Sequence, residues 1–245
     1  MRLNIATTFM SMLFVCSCTK LPSSFKKCNA KDSGFNKCLS EAIHNAIQQL
    51  NKPIPALGLP SLNPFRLPTF QMRVGNRKEG LEQLWKNVTL HGLTKPTTTI
   101  AKWTFGSEST LQLDVSFPVV QFDSDFEAHG RVVLLAVDVD TTFRITYEKP
   151  TFKLTFKMIE SGQGSKHFKL VSTKLDMLPQ KATFAYNLFD NKVLNDQINE
   201  ESSKKFMETL GYIREDLAAF EPFFGNLLSA VLEKVPISDL IDGLN

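Results

Sequence analysis

The chain has 245 residues, 42% hydrophobic and 22% charged, in the proportions of an ordinary water-soluble protein large enough for a sizeable core. A net charge of +3, with no Arg/Lys stripe interleaved with aromatics, argues against a nucleic-acid binder. Phe is heavily used, 20 residues against 3 Tyr and 2 Trp. Its area comes without a polar handle, which suits a dry core or a ligand cavity.

Met1 to Cys18 reads as a secretory signal. Arg2 gives the positive start, Ile5 to Val15 an apolar block too short to span a bilayer, and Cys16 and Cys18 the small residues of a cleavage site. A lipoprotein reading, with Cys16 lipidated, is weaker because Phe14 and Val15 are bulky where small residues are expected. Residues 19–245 then form one domain, with no integral membrane segment and an extracellular location. The two remaining cysteines, Cys28 and Cys38, read as one disulfide. A metal pair with His44 would lack two further ligands.

Leu39, Ile43, Ala46, Ile47 and Leu50 recur at helical spacing after Cys38, with Asn36 placed to cap the start and Pro53 to end the helix. Pro53 to Pro68 is a turn-rich strap carrying Leu57, Leu59, Leu62 and Phe65. From Phe70 to about Leu188 the period becomes two. Val137, Val139, Thr141, Phe143, Ile145 and Tyr147 share one face, and Asp138, Asp140, Thr142 and Arg144 the other. One apolar and one wet face predict an antiparallel meander, broken near Gly106, Pro118, Gly130, Lys149-Pro150 and Ser161 to Gly164. Strands this long must coil. Asn87-Val88-Thr89 is a glycosylation sequon on the solvent side of a strand.

Near the C-terminus Ile198, Phe206, Leu210, Ile213, Leu217, Phe220, Phe224, Leu228, Val231 and Val235 form a helical stripe. An unbroken helix from Ile198 to Val235 would run ~57 Å. That is too long for the inside of a globule, so it needs a wrapper, and the coiled sheet supplies one. Gly211 and Pro222 weaken it, which predicts a bend near Pro222 or two helices in series.

No nucleophile elbow or phosphate loop is present, and His44, His91, His129 and His167 are scattered. Asp138 and Asp140 lie on a solvated strand face. These patterns point away from an enzyme, a metal site or a cofactor.

The Cys28–Cys38 loop, the helix after it, Leu57-Gly-Leu-Pro-Ser-Leu-Asn-Pro64, Asn87-Val-Thr-Leu-His-Gly92, Leu188 to Asn199, the long amphipathic run and Lys234 to Leu240 together resemble the insect takeout and haemolymph juvenile hormone-binding protein family. The resemblance implies an α+β, tubular lipid-binding fold: a long C-terminal helix wrapped by a strongly curved antiparallel sheet, and a short N-terminal helix pinned by a disulfide. It also implies a non-enzymatic carrier with a juvenile hormone-like terpenoid, fatty acid or related lipid in an apolar tunnel. Leu210, Ile213, Leu217 and Phe220 would line it opposite Phe143 and Phe156. Phe126 stands where many relatives carry a tyrosine, which points to a more generic apolar ligand. The second reading is an interaction protein whose Lys26-Lys27 or Lys204-Lys205 contacts a membrane surface or a protein receptor.

Overall fold

The computed structural model describes residues 20–75, 80–132, 135–162, 165–187, 191–209 and 217–244. The alternating middle of the chain forms two antiparallel sheets. One contains β2 (Phe65–Arg66), β3 (Phe70–Gly75), β4 (Gly80–His91), β7 (Val119–Val132), β8 (Leu135–Glu148) and β11 (Lys181–Tyr186). Its order is β11-β8-β7-β4-β2, with β3 also paired to β4. The other runs β10-β9-β6-β5, from β5 (Thr98–Thr104), β6 (Ser109–Ser116), β9 (Thr151–Ser161) and β10 (His167–Leu178). Among the described residues the named helices are α1 (Phe35–Gln49), α2 (Lys192–Thr209), α3 (Glu221–Leu232) and the single turn α4 (Ile237–Leu240). Near the two ends of the described chain, β1 (Cys28–Asn29) pairs in parallel with β12 (Ile241–Asp242), and the Cys28–Cys38 disulfide ties that pair to α1.

Period-two patterning decides which faces are buried. Phe122, Phe143 and Ile145 point inward on the longest strands, while Asp138, Asp140 and Arg144 lie in solvent on the other face. The strap holds as expected, with Leu57, Leu59, Leu62, Phe65 and Leu67 all buried. Gly130 does not break a strand. It lies inside β7 at φ +143°, where a Cβ would fall 2.1 Å from the carbonyl oxygen of Gly80, so the position needs glycine for close approach to β4. A register shift between Lys86 and Thr89 on β4 places Asn87 in the left-handed region, φ 51°. This bulge sends Asn87 outward to Asp125 and leaves Val88 buried.

The helices meet the sheets at their edges. On α1, Asn36 accepts the N–H of Trp103 and Ser40 that of Ala101, alternate residues of edge strand β5. On α2, Asn199 and Ser203 accept the N–H groups of Tyr186 and Phe184 on edge strand β11. On α3, Glu221 accepts the N–H of Leu175 on edge strand β10. Side chains thus satisfy edge groups that would otherwise be open to strand addition. Asn36 is therefore not the cap predicted for α1; that position is Gly34, and Asn36 lies within the helix.

Among the described residues, the C-terminal stripe is not carried by a single long helix. Helix α2 has 18 residues and α3 has 12, which gives lengths of ~27 Å and ~18 Å. Ala219 and Phe220 form a turn, and α3 starts at Glu221 with Phe220 as its N-cap and Pro222 in its first turn. Proline lacks the N–H that an unbroken helix would need there, but it suits a first turn. This is the restart at Pro222 that the sequence predicts. Helices this short fit a compact fold, so no single rod needs one wrapping sheet. Leu210 and Ile213, expected on the helix, lie outside the described residues.

Candidate functional site

Two apolar cavities lie where the helices cover the sheets. The first, about 280 Å³, is enclosed by α1, the four-stranded sheet and α3. Leu39, Ala42, Ile43, Ala46 and Ile47 of α1 and its C-cap Leu50 all line it, so the whole predicted stripe faces this space. Trp103, Leu113, Leu154 and Phe156 form the sheet wall. Lys26 also borders it and pairs with Glu41 at 2.8 Å, an exposed contact of small energetic weight.

The second cavity, about 490 Å³, lies between the six-stranded sheet and α2. Its volume falls within the ~300–1,000 Å³ usual for small-molecule sites. Its wall is largely aromatic. The Phe143 ring lies 5.0 Å from Trp85, 5.7 Å from Phe126 and 4.8 Å from Tyr186 by centroids. Such clusters add edge and tilted ring contacts to the gain from burial.

The predicted C-terminal stripe serves both cavities in turn. Ile198, Phe206, Leu217 and Phe220 line the second; Phe224, Leu228 and Val231 line the first. Phe220 packs 6.0 Å from Phe122 and 5.4 Å from Phe70, while Phe224 packs 5.9 Å from Phe152. Of the residues expected around a ligand, Phe126, Phe143, Leu217 and Phe220 are brought together in the second cavity, and Phe156 is in the first.

The polar members of the second cavity escape the apolar pattern. Gln83, Tyr147, Tyr186 and Ser202 all line it. Ser202 occupies the gap between Ile198 and Phe206 in the α2 stripe, and that gap is the sequence signal that could have found it. Burial pushes the Tyr186 phenol up to about 12, an effect that nearby Ser202 partly offsets. Burial, reinforced by Tyr186, pushes the Tyr147 phenol up further. Both phenols therefore stay protonated at any physiological pH. The indole nitrogens of Trp85 and Trp103, one beside each cavity, are buried with no hydrogen-bond partner among the described residues.

Asn87 is exposed, with Nδ2 2.6 Å from Asp125. Among the described residues, no three or more His, Cys, Asp or Glu are grouped to hold a metal, and no helix is long and apolar enough to cross a membrane.

Two helix-edged antiparallel sheets around apolar cavities define an α+β protein with hollow interior space. The chain belongs to the haemolymph juvenile hormone binding protein family, whose model matches residues 5–242. Its fold is similar to that of Takeout 1 from Epiphyas postvittana. The TM-score is 0.70 at 20% identity, covering 88% of this chain and 98% of that one. A fainter likeness, to lipopolysaccharide binding protein, has a TM-score of 0.32 at 12% identity over 78% of this chain and 39% of that one. No curated protein sequence matches the chain.

Proposed function

We propose that this protein is a non-enzymatic extracellular carrier of a small elongated hydrophobic ligand, a juvenile hormone-like terpenoid, a fatty acid or a related lipid. The observation that carries the reading is the second cavity, about 490 Å³ and walled by aromatic rings. Phe126, Phe143, Leu217 and Phe220 would contact the ligand there, and Phe156 would serve the first cavity. At ~0.8 kcal/mol per buried CH₂, a fifteen-carbon chain gains ~12 kcal/mol before association costs, enough for micromolar to nanomolar affinity. Residues 1–18 would be removed on secretion, and Asn87, exposed on the bulge of β4, would accept the glycan.

The test is native mass spectrometry of lipid-stripped protein with candidate lipids, combined with displacement of a fluorescent fatty acid. Added mass and displacement by apolar ligands are expected. Failure of every apolar ligand to do either overturns the reading.

A second reading, contact with a membrane surface or a protein receptor, draws on Ile100, 60% exposed beside Lys102 on edge strand β5. The lysine doublets support it less, because Lys26, Lys27 and Lys204 are engaged by Glu41, Asp242 and the Glu200/Glu201 pair. Liposome co-sedimentation at low salt, without extraction of lipid, would favour it.

A further inference from the structure

The polar groups of the second cavity are not scattered through its wall. Tyr186 is held from behind by α2, where Asn199 accepts its N–H at 2.8 Å and donates to its carbonyl at 3.2 Å. Its ring is set against Phe143 and Phe184. Ser202, three residues beyond Asn199 on the same helix, lines the same cavity. A phenol donates as well as accepts, so Tyr186 has a proton to offer a ligand oxygen. Tyr147 lines the same space from β8, packed on Phe206. The result is a set of neutral hydroxyls in a cavity whose other described lining residues are hydrocarbon and rings, apart from the amide of Gln83.

We propose that this cluster is the subsite for the polar end of the bound lipid, and that the end it takes is a neutral oxygen group: an alcohol, aldehyde or ester. The inference rests on the carrier reading and adds the chemical class of the ligand. A terminal oxygen beside Tyr186 accepts the phenolic proton, while the chain lies along Phe143, Phe126 and Trp85. An ionised carboxylate in the same place would be buried among groups that offer hydrogen bonds but no positive charge, since no described lining residue of this cavity is charged. A fatty acid would enter in its protonated form and lose affinity as its carboxyl ionises in solution.

The experiment uses the full-length mature protein, stripped of lipid and loaded with the neutral fluorescent probe N-phenyl-1-naphthylamine. Hexadecane, hexadecan-1-ol and palmitate are compared as competitors at about pH 5 and about pH 8, either side of the range in which a chain-end carboxyl would ionise. Hexadecan-1-ol is expected to compete up to about tenfold better than hexadecane, the size of one net hydrogen bond. In Tyr186→Phe that advantage should shrink to about twofold or less, with hexadecane unchanged as the control for an intact cavity. Ser202→Ala should reduce the advantage in the same direction. Palmitate should approach hexadecan-1-ol at the lower pH and fall behind it by about tenfold or more at the higher.

Equal competition by alcohol and alkane, an equal loss for all three competitors in Tyr186→Phe, or palmitate matching the alcohol at the higher pH would each overturn the subsite while leaving the carrier reading standing. No displacement by any of the three would remove both.

Discussion

Asn199 and Tyr186 are joined by two hydrogen bonds through one side-chain amide: the Tyr186 N–H reaches Oδ1 at 2.8 Å, and Nδ2 reaches the Tyr186 carbonyl at 3.2 Å. The amide copies the pairing that a neighbouring strand would give. Ser203, one helical turn further along α2, receives Phe184 at 3.0 Å and returns its own proton to the Asn199 carbonyl at 2.7 Å. Asn36 and Ser40 repeat the arrangement on α1, where Ser40 likewise donates to the Asn36 carbonyl at 2.7 Å.

Asn199→Ala removes both bonds and leaves a partly buried N–H and carbonyl without partners. The expected loss is about 1–3 kcal/mol by urea denaturation, with faster exchange of the Tyr186 amide. Asn36→Ala removes one bond of this kind and should cost about 1 kcal/mol. If the two variants are equally stable, the edge strand draws little from its second bond.

Gly225 sets how closely α3 approaches β10. A Cβ there would lie 2.7 Å from Thr173 Oγ1 and 3.2 Å from Leu170 Cδ2, next to the register shift between Leu170 and Ser172. Alanine would gain ~1 kcal/mol of helix propensity, but overpacking costs ~1–3 kcal/mol. A net loss is expected for Gly225→Ala, recovered in part by adding Thr173→Ala. A double-mutant cycle from thermal melts reads that coupling. A more stable Gly225→Ala variant would show that the helix can shift outward freely.

The Cys28–Cys38 bridge joins the β1/β12 pair to α1. Breaking it in Cys28→Ser/Cys38→Ser should cost ~3 kcal/mol in the chain-entropy picture for a loop of this length. The first cavity should suffer before the second, because α1 and Ile241 line only the first. Limited proteolysis would then cut near Cys28 and the β12 region while the six-stranded sheet stays protected. Cleavage beginning in β7 or β8 would contradict that order.

Much of this architecture was legible because its signals were periodic. Alternation along Val137 to Tyr147 gave the strand and its inward face, and spacing from Leu39 to Leu50 gave α1 and its apolar stripe. Pro222 marked where the C-terminal helix restarts. The division of one apolar stripe between two cavities was not legible, because spacing says which residues share a face and nothing about what each turn meets. The hydroxyl cluster was hidden for a related reason. Tyr147 and Tyr186 sit at apolar positions of their strands, and Ser202 looks like a gap, so only the fold brings the three together. Asn36 misled because a polar side chain early in a helix serves equally as a cap or as a partner for a neighbouring strand.

The two buried phenols make stability sensitive to alkaline pH. In the unfolded chain a tyrosine ionises at ~10. In the folded protein burial holds Tyr186 protonated up to about 12 and pushes Tyr147 up as well. Between the unfolded and folded values the folded state holds more protons, so raising pH favours unfolding. The contribution is fully present below pH ~10 and is lost as pH rises toward the folded value. Urea midpoints should therefore be level below that point and decline above it, with phenolate absorbance appearing together with unfolding rather than before it. Tyr186→Phe should flatten the decline, and Tyr147→Phe should do so too. Phenolate absorbance of Tyr186 rising near ~10 in a still-folded protein would mean that water reaches the second cavity freely, and the hydroxyls there would then face solvent rather than hydrocarbon.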